Sequence, residues 1–355
     1  MGPSEGVGHV NPVISVLFRA IPVVMGVICF SYGLYVRSGG DDAPHYVAGH
    51  VLVALTAICI ALYTTAATII RQLVQHYGPV WVVVLPALGY TVSLVTMIWG
   101  VTIIASGGGQ QYVVAGHVTL GIGFVAACVS TVATASTKFV LIAQSESQPV
   151  GSGAPDSAYS SRVGALFVSI PAVLALVGFV VAGTLWARGG DEALVAGHVM
   201  FGLSVICAAL VSLVASIVRQ IRNEFGDAER YRWSWWVIAM GTLNVVLGLV
   251  VLFSSDDAAR LAPGTVLIGL GLICFSILSK VLLLALVWRQ TFGLANRIPL
   301  IPVGTALACL FFAAFLFEAT DAQPGFFVGA HVMVGLGAVC FTLYSIVSIL
   351  EAGRE

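Results

Sequence analysis

The sequence predicts an all-α, polytopic membrane protein of about ten transmembrane helices, and three observations carry that prediction. Of its 355 residues, 59% are hydrophobic and only 9% charged, against roughly 25% charged in an ordinary soluble chain, and the mean hydropathy is +1.02. Apolar stretches near or above the ~20 residues needed to cross a hydrocarbon core recur along the whole length. Two such stretches, joined by a short polar turn, form a unit that is found five times. Lipid offers no partners to free backbone groups, so each stretch is expected to be a helix and each unit a helical hairpin.

The whole chain, 1–355, reads as one membrane domain of five tandem, like-oriented hairpins. The first unit, approximately 14–75, contains the apolar run around Ile21–Tyr35 and the returning run Val51–Ile70. Residues 1–13 lack a basic n-region and no cleavage pattern follows, so the first helix is expected to be an uncleaved anchor. The second unit, approximately 80–142, opens near Pro86. A cytoplasmic linker is expected over 143–162, and the third unit, approximately 163–222, follows with Val163–Trp186. The fourth and fifth, approximately 233–291 and 298–353, open near Ile238 and Ile301-Pro302.

Charge sets the orientation. Once the loops alternate across the membrane, eleven of the fifteen basic residues fall on one side: Arg19, Arg71, Lys138, Arg162, Arg219, Arg222, Arg230, Arg232, Arg289, Arg297 and Arg354. The other side has Arg37, Arg188 and Arg260, and Lys280 lies inside a span. The positive-inside rule then places both termini in the cytoplasm. The outer loops are short and mostly acidic or Gly-rich: Gly39-Gly40-Asp41-Asp42, Gly107-Gly108-Gly109-Gln110, Gly189-Gly190-Asp191-Glu192, Ser255-Asp256-Asp257 and Thr320-Asp321. A net charge of -1 offers no basic face to nucleic acid. The seven cysteines lie in apolar runs, which argues against a disulfide framework. No Walker-type loop, nucleophile elbow or zincin motif is present, so nothing supports an enzyme.

The returning helices share a marker: Val47-Ala48-Gly49-His50-Val51, Val114-Ala115-Gly116-His117-Val118, Val195-Ala196-Gly197-His198-Val199 and Val328-Gly329-Ala330-His331-Val332. The fourth unit reads Ala262-Pro263-Gly264-Thr265-Val266, with Thr265 in the histidine's place. Counting from that residue as zero, position +4 is always small: Ala54, Gly121, Gly202, Gly269 and Gly335. Position +14 is always a hydroxyl: Thr64, Thr131, Ser212, Ser279 and Ser345. At ~100° per residue these positions share the histidine face. Arg71, Lys138 and Arg219 at +21 lie ~31 Å further along, about one hydrocarbon thickness. Cysteine recurs at +9 on the opposite face, so His and Cys of one helix cannot share a metal.

Two readings of the stripe stand side by side. In one, small residues and hydroxyls only let helices pack and satisfy backbone groups. In the sharper one, the five returning helices surround a pseudo-five-fold axis. His50, His117, His198, Thr265 and His331 then ring the outer mouth, and the five hydroxyls ring the inner end. Imidazoles with an unperturbed pKa near ~6.5 would sense outer acidity. Lys280, at +15 where the other units have Thr65, Val132, Leu213 and Ile346, either snorkels or sets one positive charge near the inner constriction. The resulting expectation is a channel for protons or small ions with no cofactor. Alternatives are a redox protein whose four histidines hold haem b or a transition metal, and a secondary transporter or structural membrane protein. Association into homo-oligomers stays open.

The chain also resembles the YhiM family of bacterial inner-membrane proteins, over about Ile21–Gly353. The resemblance rests on long motifs: Tyr46-Val47-Ala48-Gly49-His50-Val51-Leu52, Thr96-Met97-Ile98-Trp99-Gly100, Ala127-Cys128-Val129-Ser130-Thr131-Val132-Ala133 and Ser254-Ser255-Asp256. Further along it includes Ala259-Arg260-Leu261-Ala262-Pro263-Gly264, Leu294-Ala295-Asn296-Arg297-Ile298-Pro299 and the run from Val334 to Thr342. It implies an inner-membrane location and a loose association with acid stress and ion conductance, and brings no catalytic activity.

Overall fold

The computed structural model describes residues 12–73, 79–107, 109–146, 161–221, 226–254, 258–289 and 297–352. They form ten helices: α1 (Pro12–Ser38), α2 (Ala43–Leu73), α3 (Pro79–Ala105), α4 (Gln110–Glu146), α5 (Ser161–Arg188), α6 (Asp191–Ile221), α7 (Asp227–Phe253), α8 (Ala258–Arg289), α9 (Leu300–Thr320) and α10 (Phe326–Ala352). Among the described residues there is no strand. Every helix is long and apolar enough to cross a membrane.

Several positions singled out in the sequence lie outside the described residues: Gly108, Arg222, Ser255, Asp256, Asp257, Arg354 and most of the expected linker, 147–160. The remainder of that linker is helix, because α4 runs on to Glu146 and α5 already starts at Ser161. Pro22, Pro86 and Pro171 sit inside α1, α3 and α5, since apolar sequence continues upstream of each. Pro302 lies in the first turn of α9, where its missing N–H would have had no helical acceptor.

Each odd helix turns back into the next even helix and packs along it. The turn before α6 requires Gly189 and Gly190 at φ 71 and 88, a region costly to other residues. Within a hairpin the two backbones nearly touch. A Cβ on Gly49 would lie 2.9 Å from the Gly33 carbonyl oxygen, one on Gly116 3.0 Å from that of Gly100, and one on Gly264 3.0 Å from that of Gly248. Small residues give helices in lipid the close approach that dispersion needs.

The even helices then close a ring. α2 packs on α4, α4 on α6, α6 on α8, α8 on α10, and α10 returns to α2. Each odd helix flanks the ring, α3 against α4 and α2, α5 against α6 and α4, and so on round to α1 against α2 and α10. Burial separates the two layers. The apolar stretches of the ring helices are between 67% and 89% buried and those of the flanking helices between 22% and 28%. Flanking side chains such as Val27, Leu176, Phe253 and Phe311 are exposed, the outward apolar surface expected of helices that span a bilayer.

Candidate functional site

The ring axis is the feature that distinguishes this fold from a plain bundle. At the end carrying the hairpin turns, the first residues of α2, α4 and α6 open a vestibule of about 300 Å³. Ala43, Pro44, Gln110, Gln111, Asp191 and Glu192 line it. Beneath it, Val51, Val118, Val199, Val266 and Val332 meet with Val47, Val114, Val195, Ala262 and Val328 one turn above them, enclosing a void of about 20 Å³. Deeper, rows of Leu, Ile and Val enclose a second void of about 20 Å³. One water needs roughly 10–15 Å³. Below the vestibule the axis therefore narrows to spaces of about one water each, walled mostly by aliphatic side chains.

The axial face lies at +1, +5, +8, +12 and +15 from the histidine position, as in Val51, Leu55, Ile58, Leu62 and Thr65 of α2. These positions are centred ~100° away from the histidine face. The expected outer ring is corrected accordingly: His50, His117, His198, Thr265 and His331 do not line the axis. They lie in the seams where one ring helix meets the next and the flanking helices close over them. Each histidine is half-buried. Its Nδ1–H donates to the carbonyl four residues earlier: Tyr46 at 2.7 Å, Val113 at 2.7 Å, Leu194 at 2.7 Å and Phe327 at 2.8 Å for His50, His117, His198 and His331. A carbonyl only accepts, so Nδ1 carries the proton and Nε2 does not in the neutral ring.

Aromatic side chains of the flanking helices wall in three of these imidazoles. Trp99 lies 5.5 Å from His50 and Trp186 5.4 Å from His198, between ring centroids. His331 touches Tyr32 at 5.8 Å, Phe317 at 4.9 Å and its own neighbour Phe327 at 4.2 Å. The three arginines of this end stand near three histidines, Arg37 by His50, Arg188 by His117 and Arg260 by His198. His45 belongs to the first turn of α2 and pairs with Asp42.

The small residues at +4 receive the next ring helix. A Cβ on Gly121 would lie 2.7 Å from Leu203, one on Gly202 2.7 Å from both Leu267 and Leu270, one on Gly269 2.5 Å from Leu336, and one on Gly335 2.5 Å from Leu55. Ala54 is buried at the same register of α2. The hydroxyls at +14 are also corrected: Thr64, Thr131, Ser212, Ser279 and Ser345 are fully buried away from the axial voids. Each donates to its own helix: to Ala61, Ala127, Ala209, Ser276 and Thr342 at 2.7, 2.9, 2.6, 2.5 and 2.7 Å. A hydroxyl satisfied by the preceding turn offers no ring of free donors.

Lys280 does face the axis. It borders the deeper void beside Thr65, Val132 and Leu213, and it is 4% exposed, so it does not reach the membrane surface. Among the described residues no three of His, Cys, Asp and Glu gather as a metal site. Sequence reasoning missed the aliphatic axial rows. Their signal was present, since +5, +8 and +12 are Leu, Ile or Val in every unit, from Leu55, Ile58 and Leu62 to Leu336, Val339 and Leu343.

A family model described as "Protein of unknown function (DUF2776)" matches residues 10–355. "Inner membrane protein YhiM" of Escherichia coli (strain K12) is 50% identical over 346 residues, which cover 97% of this chain and 99% of that protein. No solved structure matches.

Proposed function

Starting from the fact that this chain belongs to the YhiM (DUF2776) family, we propose that it is a channel of the bacterial inner membrane for protons or small ions. In this conformation the channel is closed. The observation that carries the reading is the closed ring of five helices around a single axis that opens into a vestibule and then narrows to aliphatic rows. A hydrophobic constriction holds back ions by excluding water and opens when its walls part slightly. The arginine-poor end, with its vestibule, faces outward and both termini face the cytoplasm by the distribution of basic residues.

Outer acidity acts through the seams. Protonating Nε2 of His50, His117, His198 and His331 places positive charge between adjacent ring helices, next to Arg37, Arg188 and Arg260 in three cases. Like charges in a partly desolvated seam repel, and the seams border the valine constriction. The fifth seam, with Thr265, stays neutral.

The test is ion and proton flux in proteoliposomes with outer pH stepped from about 7.5 to about 5, across the ~6.5 of a free imidazole. Flux that rises with acid in the native chain and loses that rise when all four histidines become alanine supports the reading. Native liposomes no leakier than empty ones at any pH sink it.

A further inference from the structure

Among the described residues Lys280 has no counter-charge. It lies on α8 with 4% of its surface exposed, and its side chain points into the void on the ring axis. Among the described residues no carboxylate pairs with it, and the deeper void is otherwise lined by Leu, Ile and Val plus the Thr65 hydroxyl. That hydroxyl already donates to Ala61 at 3.1 Å. The other ring helices carry neutral residues at this register. An ionisable group placed so deep is rare, and elsewhere it is paired or it serves an ion path.

We propose that Lys280 is an anion site on the axis, taking one small monovalent anion of halide size. Among the described residues nothing neutralises the protonated amine, and the adjoining void has room for about one water-sized guest, so in its charged form Lys280 takes its partner from a diffusible ion. A larger or doubly charged anion would require the leucines around the void to move. The carboxylates of the vestibule do not contradict this. Asp191 is exposed and Glu192 partly so, where water and salt screen them, whereas Lys280 acts through a low-dielectric wall where one charge decides the sign of the field. Taken with the channel reading, on which this step rests, the conducted species is a small anion.

Binding and conduction are read separately on the full chain. Thermal unfolding of the purified protein is compared in sodium bromide and sodium gluconate at equal ionic strength. Bromide should raise the midpoint of the native protein, because a ligand bound only to the folded state stabilises it. The shift should vanish in Lys280→Met and persist in Lys280→Arg. Equal midpoints of the native protein in both salts, or a shift unchanged in Lys280→Met, overturn the site. In planar bilayers under a KCl gradient, the native chain should favour chloride, and Lys280→Met should lower chloride-over-potassium permeability by about tenfold or more. A reversal potential of the cation sign in the native chain overturns the anion assignment. A bromide shift that depends on Lys280, without conductance under any condition, upholds the anion site and sinks the channel.

Discussion

A Cβ placed on Gly329 of α10 would overlap Oγ1 of Thr265 on α8, so these two positions fit only as a pair. At the register of Gly329, α2, α4 and α6 carry alanine (Ala48, Ala115 and Ala196) and α8 carries Pro263, and the other four ring helices have histidine where α8 has Thr265. Thr265 is fully buried and donates to Ala262 at 2.8 Å, which fixes its hydroxyl in the seam. Gly329→Ala should destabilise the protein by about 1–3 kcal/mol, the usual cost of overpacking. Adding Thr265→Ala should recover most of that loss. Unfolding of both single variants and the double variant measures the coupling, and additive effects would show that the two side chains do not meet.

The valine constriction should hold the resting leak near zero by excluding water rather than by filling space alone. Replacing Val51, Val118 and Val199 together by threonine keeps the branched shape and adds hydroxyls to the wall. Ion leak from proteoliposomes should rise without any acid step. A leak no higher than that of the native chain would place the barrier in the leucine rows below.

Orientation can be read with a membrane-impermeant thiol reagent. All seven native cysteines are buried, so the native chain should stay unlabelled. Asp41→Cys, at a fully exposed turn position, should label from outside. Arg162→Cys, exposed at the start of α5, should label only after the membrane is opened. The reverse pattern would invert the topology and with it the assignment of the vestibule.

The layout of hairpins was legible because a membrane chain writes its spans in contrast: charged or glycine-rich turns against long apolar runs. The +4 glycines were legible as close contacts for the same reason, since a missing side chain in a crowded apolar helix has few other uses. The axis was not legible. Attention goes to polar residues, and the histidines do share one face, but in a five-helix ring both the seam and the axis are interior. Adjacent positions such as His50 and Val51 take one each. The aliphatic rows that line the axis recur as strictly as the histidines, yet Leu and Val stand out from nothing in a chain that is 59% hydrophobic. The continuation of α4 to Glu146 was hidden because its last turns leave the apolar pattern that marks a span.

Cys59 of α2 and Thr342 of α10 come within 3.9 Å across 283 residues of chain. The joint that completes the circle therefore connects the first hairpin to the last. While the chain is being synthesised, four hairpins can assemble only as an open crescent, with the uncovered faces of α2 and α8 turned towards lipid until the fifth arrives. Contacts this distant in sequence form late, and a nascent chain that stalls before α9 is left with an unsealed edge of the kind that invites wrong partners. Insertion of the final hairpin is thus the step at which a lipid-soaked intermediate becomes a sealed barrel of helices.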